Sequence, residues 1–249
     1  MKNVMMEEMT WTEIENAMKD GCDTVMFSVG SVEQHGPHLP LGTDWWIGDV
    51  IAKRAAEKLG NALVAPTIRP GFSIFHEAFP GSLSLKPETL TETINDYCRS
   101  LARFFKNIVI IGSHGGNFPI IETASAVISE ELGGRNNIMT VTNPFYDPAK
   151  EKWVMDVDKG GTHAGRFETS MILAEKPSTV HMERAVESWP EMPEYKDQAL
   201  GYVVKAHRMT KIGVFGDPRG ANAEEGKQLI EAFADNIINI MNGYKKFYR

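Results

Sequence analysis

Residues Thr24 to Val29 (TVMFSV) form a β-branched and aromatic run that ends at Gly30. The segment Asp44 to Leu59 then places apolar residues at Ile47, Val50, Ile51, Ala55 and Leu59, the spacing of one helix face. The pair predicts strand, loop, helix, and the alternation continues. Ala62 to Ile68 reads as a second strand, and Lys86 to Phe105 as a helix with Pro87 and Glu88 in its first turn. Asn107 to Gly112 holds the unbroken run Ile108 to Ile111, expected of a strand covered on both faces. A helix over about Pro119 to Leu132 stops at Gly133 and Gly134. Ile138 to Thr142 supplies another strand, and helices fit His163 to Glu175 and Ala221 to Met241. Pro and Gly cluster at Gly36 to Gly42, Pro66 to Gly81 and Gly160 to Gly165, which read as loops inside one domain spanning residues 1–249.

Strands alternating with helices predict an α/β fold, a three-layer α/β/α sandwich on a mostly parallel central sheet joined by right-handed crossovers. In such sheets ligands bind beyond the carboxyl ends of the strands. Composition narrows the partners. Hydrophobic residues at 42%, charged residues at 24% and a net charge of −7 exclude a disordered chain and a polybasic nucleic-acid binder. Ile108 to Ile111 is the longest purely aliphatic stretch, far short of the roughly 20 residues that cross a bilayer. The expectation is therefore a soluble cytoplasmic protein with no membrane or nucleic-acid partner. Cys22 and Cys98 are the only cysteines, with no CxxC, so histidine and carboxylate must carry any metal chemistry.

Polar residues do collect after the strands. Ser31-Val32-Glu33-Gln34-His35-Gly36-Pro37-His38 follows the first, and Leu39-Pro40-Leu41-Gly42-Thr43-Asp44 leads into the next helix. In an extended segment Glu33 and His35 project from one side about 6.5 Å apart, able to grip two neighbouring ions or straddle one. Asp44 returns a carboxylate to the same rim. After the buried strand comes Gly112-Ser113-His114-Gly115-Gly116-Asn117, which puts another imidazole at a strand end. Alone, Glu-x-His is a common chance pattern, His114 a core histidine and Asp44 a helix cap. Their joint arrival at the ligand-binding edge suits a divalent ion such as Zn, Mn or Fe. A third polar cluster, Gly160 to Ser170, holds His163 and Glu168, five apart and so not a facing pair on a regular helix. Gly112 to Gly116 is neither GxGxxG nor GxSxG, and no Walker lysine follows.

Four stretches in order, SVEQHGPHLPLGTD, GSHGGN, THAGRFETS and GVFGDPRGA, resemble the creatininase (creatinine amidohydrolase) family from Val25 to about Gly226. The resemblance implies an α/β/α domain with a dinuclear metal centre, a homo-oligomer, often a hexamer, and hydrolysis of cyclic amides, formamides or related bonds. It implies Glu33, His35, Asp44 and His114 as metal ligands with Asp44 bridging, and His163 as the proton-carrying histidine. The chain departs from creatinine-cleaving members at Gly115 and Gly116, where those carry a Tyr and then a metal-binding Glu. Glu168 is nominated to replace that carboxylate, either as a ligand of the second ion or as a partner of one, and it joins His163 as a catalytic candidate. The aromatic residue that closes over creatinine is missing near Lys159 and Gly160, so creatinine is not the expected substrate. His76 and Ser82, in a stretch that also matches the family pattern, are expected to face substrate together with Gly115 and Lys159.

The expected function is hydrolysis of a carbon–nitrogen bond, an amide, cyclic amide or formamide, in a small polar molecule. A water held between two cations loses its proton near neutral pH, and His163 carries that proton to the leaving group. Two other readings stay open: a ring-opening or lactone-type hydrolase using the same ions, for example on an oxidised cyclitol, and a non-catalytic binder of metal or small molecules. His38 is expected to hydrogen-bond within its loop, His181 and His207 to be structural or exposed, Trp45 and Trp46 to pack, and Asp217 with Arg219 to order a turn.

Overall fold

In the computed structural model the described residues are 3–142, 144, 161, 163–189 and 204–247. Four strands, β1 (Thr24–Val29), β2 (Ala62–Val64), β3 (Asn107–Gly112) and β4 (Asn137–Val141), form one parallel sheet in the order β2-β1-β3-β4. The helices are α1 (Trp11–Lys19), α2 (Thr43–Leu59), α3 (Pro87–Leu101), α4 (Phe118–Glu131), α5 (Arg166–Glu175) and α6 (Ala223–Lys245), with a single turn at Ala206–Met209. Among the described residues no helix is long and apolar enough to cross a membrane.

The period of two along the strands sends successive side chains to opposite faces. Met26, Val109, Ile111 and Met139 pack on one face against Ile47 and Ile51 of α2, Met171 of α5 and Phe233 and Ile237 of α6. Val25, Phe27, Val29, Ile108 and Ile110 pack on the other against Ile94 of α3, Ile121 of α4 and Ala17 of α1. Helices thus cover both faces, giving the expected three layers. The chain leaves β1 for β2 on one side and returns to β3 on the other, so a crevice opens between the carboxyl ends of β1 and β3.

Local chemistry explains where elements differ from the sequence expectation. The second strand stops at Val64: Ala65 N still donates to Met26 O, but across Pro66 and Thr67 the register slips by one residue, so that a lone bridge pairs Val29 with Ile68 and Ile68 N donates to Ser28 O. The helix expected from His163 starts at Arg166: Ala164 takes a left-handed φ of 53° and Gly165 is the N-cap. The final helix starts one residue after Asn222, whose side chain accepts from Glu225 N, and runs on to Lys245. Helix α1 has no counterpart among the expected elements. Its cue is a capping box in which Thr10 and Glu13 satisfy each other's backbone N–H. Lys159 and Gly160 lie outside the described residues.

Gly48 lets α2 sit directly on the strands that carry the crevice. A Cβ there would lie 2.6 Å from Ser113 Oγ and 2.7 Å from Ser28 Cβ. Ser28 Oγ also donates to Gly48 O at 2.9 Å. Gly48→Ala should therefore lift the helix off the sheet at a cost of about 1–3 kcal/mol, only partly offset by roughly 1 kcal/mol of helix propensity. Thermal unfolding would register this as a fall of roughly 2–4 °C per kcal/mol, and an unchanged Tm would contradict the packing argument.

Candidate metal centre

The loop after β1 is held extended by its own backbone. Glu33 N donates to Leu41 O at 3.0 Å, Leu83 N to Val32 O at 2.8 Å, and Gln34 N to Ser82 Oγ at 3.1 Å. Glu33 and His35 therefore face the crevice together. Asp44 enters from the first turn of α2, His114 from the end of β3, His163 from the segment before α5, and Glu168 from the first turn of α5. None of these six side chains belongs to a residue more than 8% exposed.

Their polar atoms converge. Asp44 Oδ1 lies 3.2 Å from His35 Nε2, and Oδ2 lies 3.3 Å from His114 Nδ1. Glu33 Oε1 lies 3.4 Å from His114 Nδ1, 3.5 Å from His76 Nε2 and 3.7 Å from His163 Nδ1. Glu168 Oε2 is 3.9 Å from His35 Nε2 and accepts Ala164 N–H at 2.6 Å. Three triads have donor atoms all within 4.8 Å of one another: Glu33–Asp44–His114, His35–Asp44–Glu168 and Glu33–His35–His163. Ligands each about 2.0–2.2 Å from one zinc ion stand at comparable separations.

Two observations test whether a cation fits. Glu33 Oε1, His35 Nε2 and Asp44 Oδ2 are buried atoms with no hydrogen-bond partner, and all three point into the cluster. The outward nitrogens of the histidines are engaged by main-chain carbonyls: His35 Nδ1 lies 3.2 Å from Glu33 O, His114 Nε2 3.1 Å from Phe72 O. A carbonyl can only accept, so the inward nitrogen of each ring keeps its lone pair in the neutral form, as a ligating histidine requires. His163 repeats the pattern, with Nε2 lying 2.8 Å from Gln34 O. The donor set fits a divalent ion.

Electrostatics follow the crowding. Burial weighs against charge on His35, yet the carboxylates of Asp44, Glu168 and Glu33 raise its pKa to about 10. His114, equally buried, is raised to about 9 by Glu33 and Asp44. Burial pushes Glu33 up. It also opposes ionisation of Asp44, but the imidazoles of His35 and His114 hold that carboxyl well below its usual range. Burial and the neighbouring rings of His35 and His76 keep His163 far below the ordinary imidazole value, so it is neutral at pH 7. Burial and His35 with His114 depress His76 to about 3.

The remaining expected residues divide. His76 is buried and belongs to the cluster's edge; Ser82 braces Gln34 N; Gly115 is exposed, with nothing within 4 Å of where a Cβ would stand. Lys159 falls outside the described residues. Gly116 has no room for a side chain, since a Cβ there would lie 2.5 Å from His114 Nε2 and 2.6 Å from Phe72 O. A carboxylate cannot enter from that position without displacing the histidine. His38 is buried, its Nε2 bonded to Thr169 Oγ1 at 3.0 Å, while His181 and His207 are exposed. Sequence reasoning assigned no role to Asn117 or to Gln34. Asn117 Nδ2 donates to Val29 O and Gly30 O while Oδ1 accepts from Phe72 N, tying the end of β1 to the loop that holds His114. The one available signal was its place directly after the glycine pair.

A parallel sheet with acids and imidazoles gathered at its switch point is an arrangement that suits a divalent ion. The chain belongs to the creatininase family: the family model described as creatinine amidohydrolase matches residues 7–241. It is 30% identical over 258 residues to the creatinine amidohydrolase of Pseudomonas putida, covering 96% of each chain. It is 32% identical over 224 residues to the mycofactocin precursor peptide peptidase of Mycolicibacterium smegmatis, covering 86% of this chain and 83% of that one. Its fold superposes on a mutant creatininase of Zn-Zn type with a TM-score of 0.83 at 29% identity, covering 98% of both chains. The zinc-bearing neighbour and the donor set together support a divalent ion at this cluster.

Adding Zn or Mn to chelator-treated protein should raise Tm by roughly 5–10 °C at about a hundredfold excess over Kd, because the ion binds only the assembled cluster. His35 and His114 hold protons to about pH 10 and 9 in the ion-free cluster and must release them to bind. The Tm gap between loaded and chelated protein should therefore widen as pH rises from about 7 to about 9. A gap that narrows over that range would contradict the assignment.

Proposed function

We propose that this protein hydrolyses an amide bond in a small polar substrate, using two divalent ions, one held by Glu33, Asp44 and His114 and the other by His35, Asp44 and Glu168. The observation that carries the reading is the meeting of two buried triads at Asp44, whose two oxygens face different histidines. When bound, such ions would polarise a carbonyl and lower the pKa of water to about 7, so that no serine or cysteine nucleophile would be needed.

The chain's own residues supply the rest. His163 Nδ1, with Nε2 held by Gln34 O, is the group placed to take a proton from the attacking water and deliver it to the leaving nitrogen. His76 turns Nε2 toward the same point, and because its Nδ1 faces the Gln34 amide NH₂ the ring hydrogen sits on Nε2, where it serves as a hydrogen-bond donor to a substrate oxygen. Glu168 bonds Ala164 N–H and so fixes its own carboxylate across from His35 while holding the backbone next to His163. Gly115 is bare and open where creatinine-cleaving relatives carry a tyrosine, which favours a substrate other than creatinine. Ser82, Lys159 and a homo-oligomeric assembly complete the proposal as substrate contacts and setting.

The test is a panel of glycinamide, formanilide, short peptides, creatinine and γ-butyrolactone, assayed with protein of known metal content. Amine or ammonia release supports amide hydrolysis. Turnover of the lactone alone favours the ring-opening reading, and no turnover at all favours a non-catalytic binder. On the best amide, His163→Ala should lower kcat by about 10²- to 10⁴-fold while elemental analysis finds the metal content unchanged. Equal metal loss in that variant would make His163 a ligand instead. Asp44→Asn should lose metal from both triads at once, and loss of only one ion would contradict the sharing of Asp44.

A further inference from the structure

Gln34 stands between Glu33 and His35, and its buried amide touches neither of them. Oε1 accepts Gly36 N–H at 2.9 Å. A Cβ on Gly213 would fall 1.7 Å from that same oxygen, so the amide is seated against a glycine that leaves space for nothing else. A backbone N–H can only donate, which fixes the amide with oxygen toward Gly36 and NH₂ away from it. That nitrogen lies 2.8 Å from His76 Nδ1 and 2.9 Å from His163 Nε2. The main-chain carbonyl of the same residue lies 2.8 Å from His163 Nε2. The two rings stack between these contacts, centroids 4.6 Å apart.

The chemistry of each partner then dictates where the ring hydrogens sit. An amide NH₂ cannot accept, so His76 Nδ1 carries the lone pair and the ring hydrogen is on Nε2, facing Glu33 Oε1 at 3.5 Å. A carbonyl cannot donate, so His163 Nε2 carries the hydrogen and Nδ1 is left open, 3.7 Å from Glu33 Oε1. Of the two Gln34 groups near His163 Nε2 only the main-chain carbonyl accepts, so the carbonyl fixes the hydrogen of that ring and the amide NH₂ is left to fix that of His76.

We propose that Gln34 is a positioning residue that sets the tautomers of His163 and His76, presenting an acceptor nitrogen of the first and an N–H of the second to the same point of the cluster. Its use in proton transfer rests on the hydrolase reading above; the tautomers themselves do not. Two-bond ¹H–¹⁵N spectra of zinc-loaded, ¹⁵N-histidine-labelled protein report directly which nitrogen is protonated. Wild type should show Nε2 protonated and Nδ1 bare in both rings. Gln34→Glu offers His76 an acceptor in place of a donor and should move that ring's hydrogen to Nδ1, and Gln34→Met should leave it divided between the two nitrogens. With the best panel amide, both variants should lose about 10- to 100-fold in kcat with KM nearly unchanged. A wild-type spectrum with His76 Nδ1 protonated overturns the proposal even if neither variant folds. So does a His76 tautomer that stays the same in both variants. Because the spectra need no turnover, a protein with these tautomers that hydrolyses nothing sinks the hydrolase reading and leaves the role of Gln34 standing.

Discussion

The fold is organised around a place where carboxylates are buried against one another with too few hydrogen-bond donors. Glu33 and Asp44 each keep one oxygen unpartnered in a desolvated crevice. Such an oxygen costs several kcal/mol unless positive charge stands beside it. The surrounding imidazoles meet part of that demand with protons, and a divalent ion would meet it with two charges. The elements around the crevice keep those acids from relaxing away. Ser31 holds the other oxygen of Glu33, α2 pins Asp44 in its first turn, and main-chain carbonyls lock the rings of His35, His114 and His163.

Backbone does most of this holding, and that follows from the topology. At the switch between β1 and β3 two loops leave the sheet where its ladder runs out, so the last carbonyls after β1 draw on a side chain as well as on the one backbone bond from Ser113 N to Val29 O at 3.2 Å. Asn117 takes two of them, Val29 O and Gly30 O, and returns its own oxygen to Phe72 N. Phe72 O is thereby placed for His114. The strain at Ala164 belongs to the same economy: a left-handed residue turns the chain so that His163 and Glu168, too far apart to face each other along one helix, reach the crevice from two directions.

The parallel sheet and its helical layers were legible because strand and helix patterns alternate plainly, and NIVIIG could be little other than a doubly covered strand; the order of the strands was not. Boundaries slipped where the backbone overrode side-chain pattern: a one-residue slip of register between Ala65 and Ile68 cut the second strand short, and Ala164 with Gly165 delayed α5. Glu33, His35, Asp44 and His114 could be nominated from their places after strands, whereas His163 and Glu168 took their roles from the family resemblance. What stayed hidden was the support. Gln34 and Asn117 act through their amides, which give no periodicity and become meaningful only once residues 36, 72, 76 and 163 are neighbours in space.

The six converging side chains span 33 to 168 in the sequence, and the last of them arrives on α5, which is wedged between α2 and α6. No contiguous stretch of chain can preform more than a fraction of the cluster. During folding, the long-range docking of α5 and α6 must come before the full ligand set exists, so capture of the ion belongs to the end of the pathway. Ion uptake would then serve as a clock for the final assembly of this fold, silent to any intermediate in which only the first half of the sheet has formed.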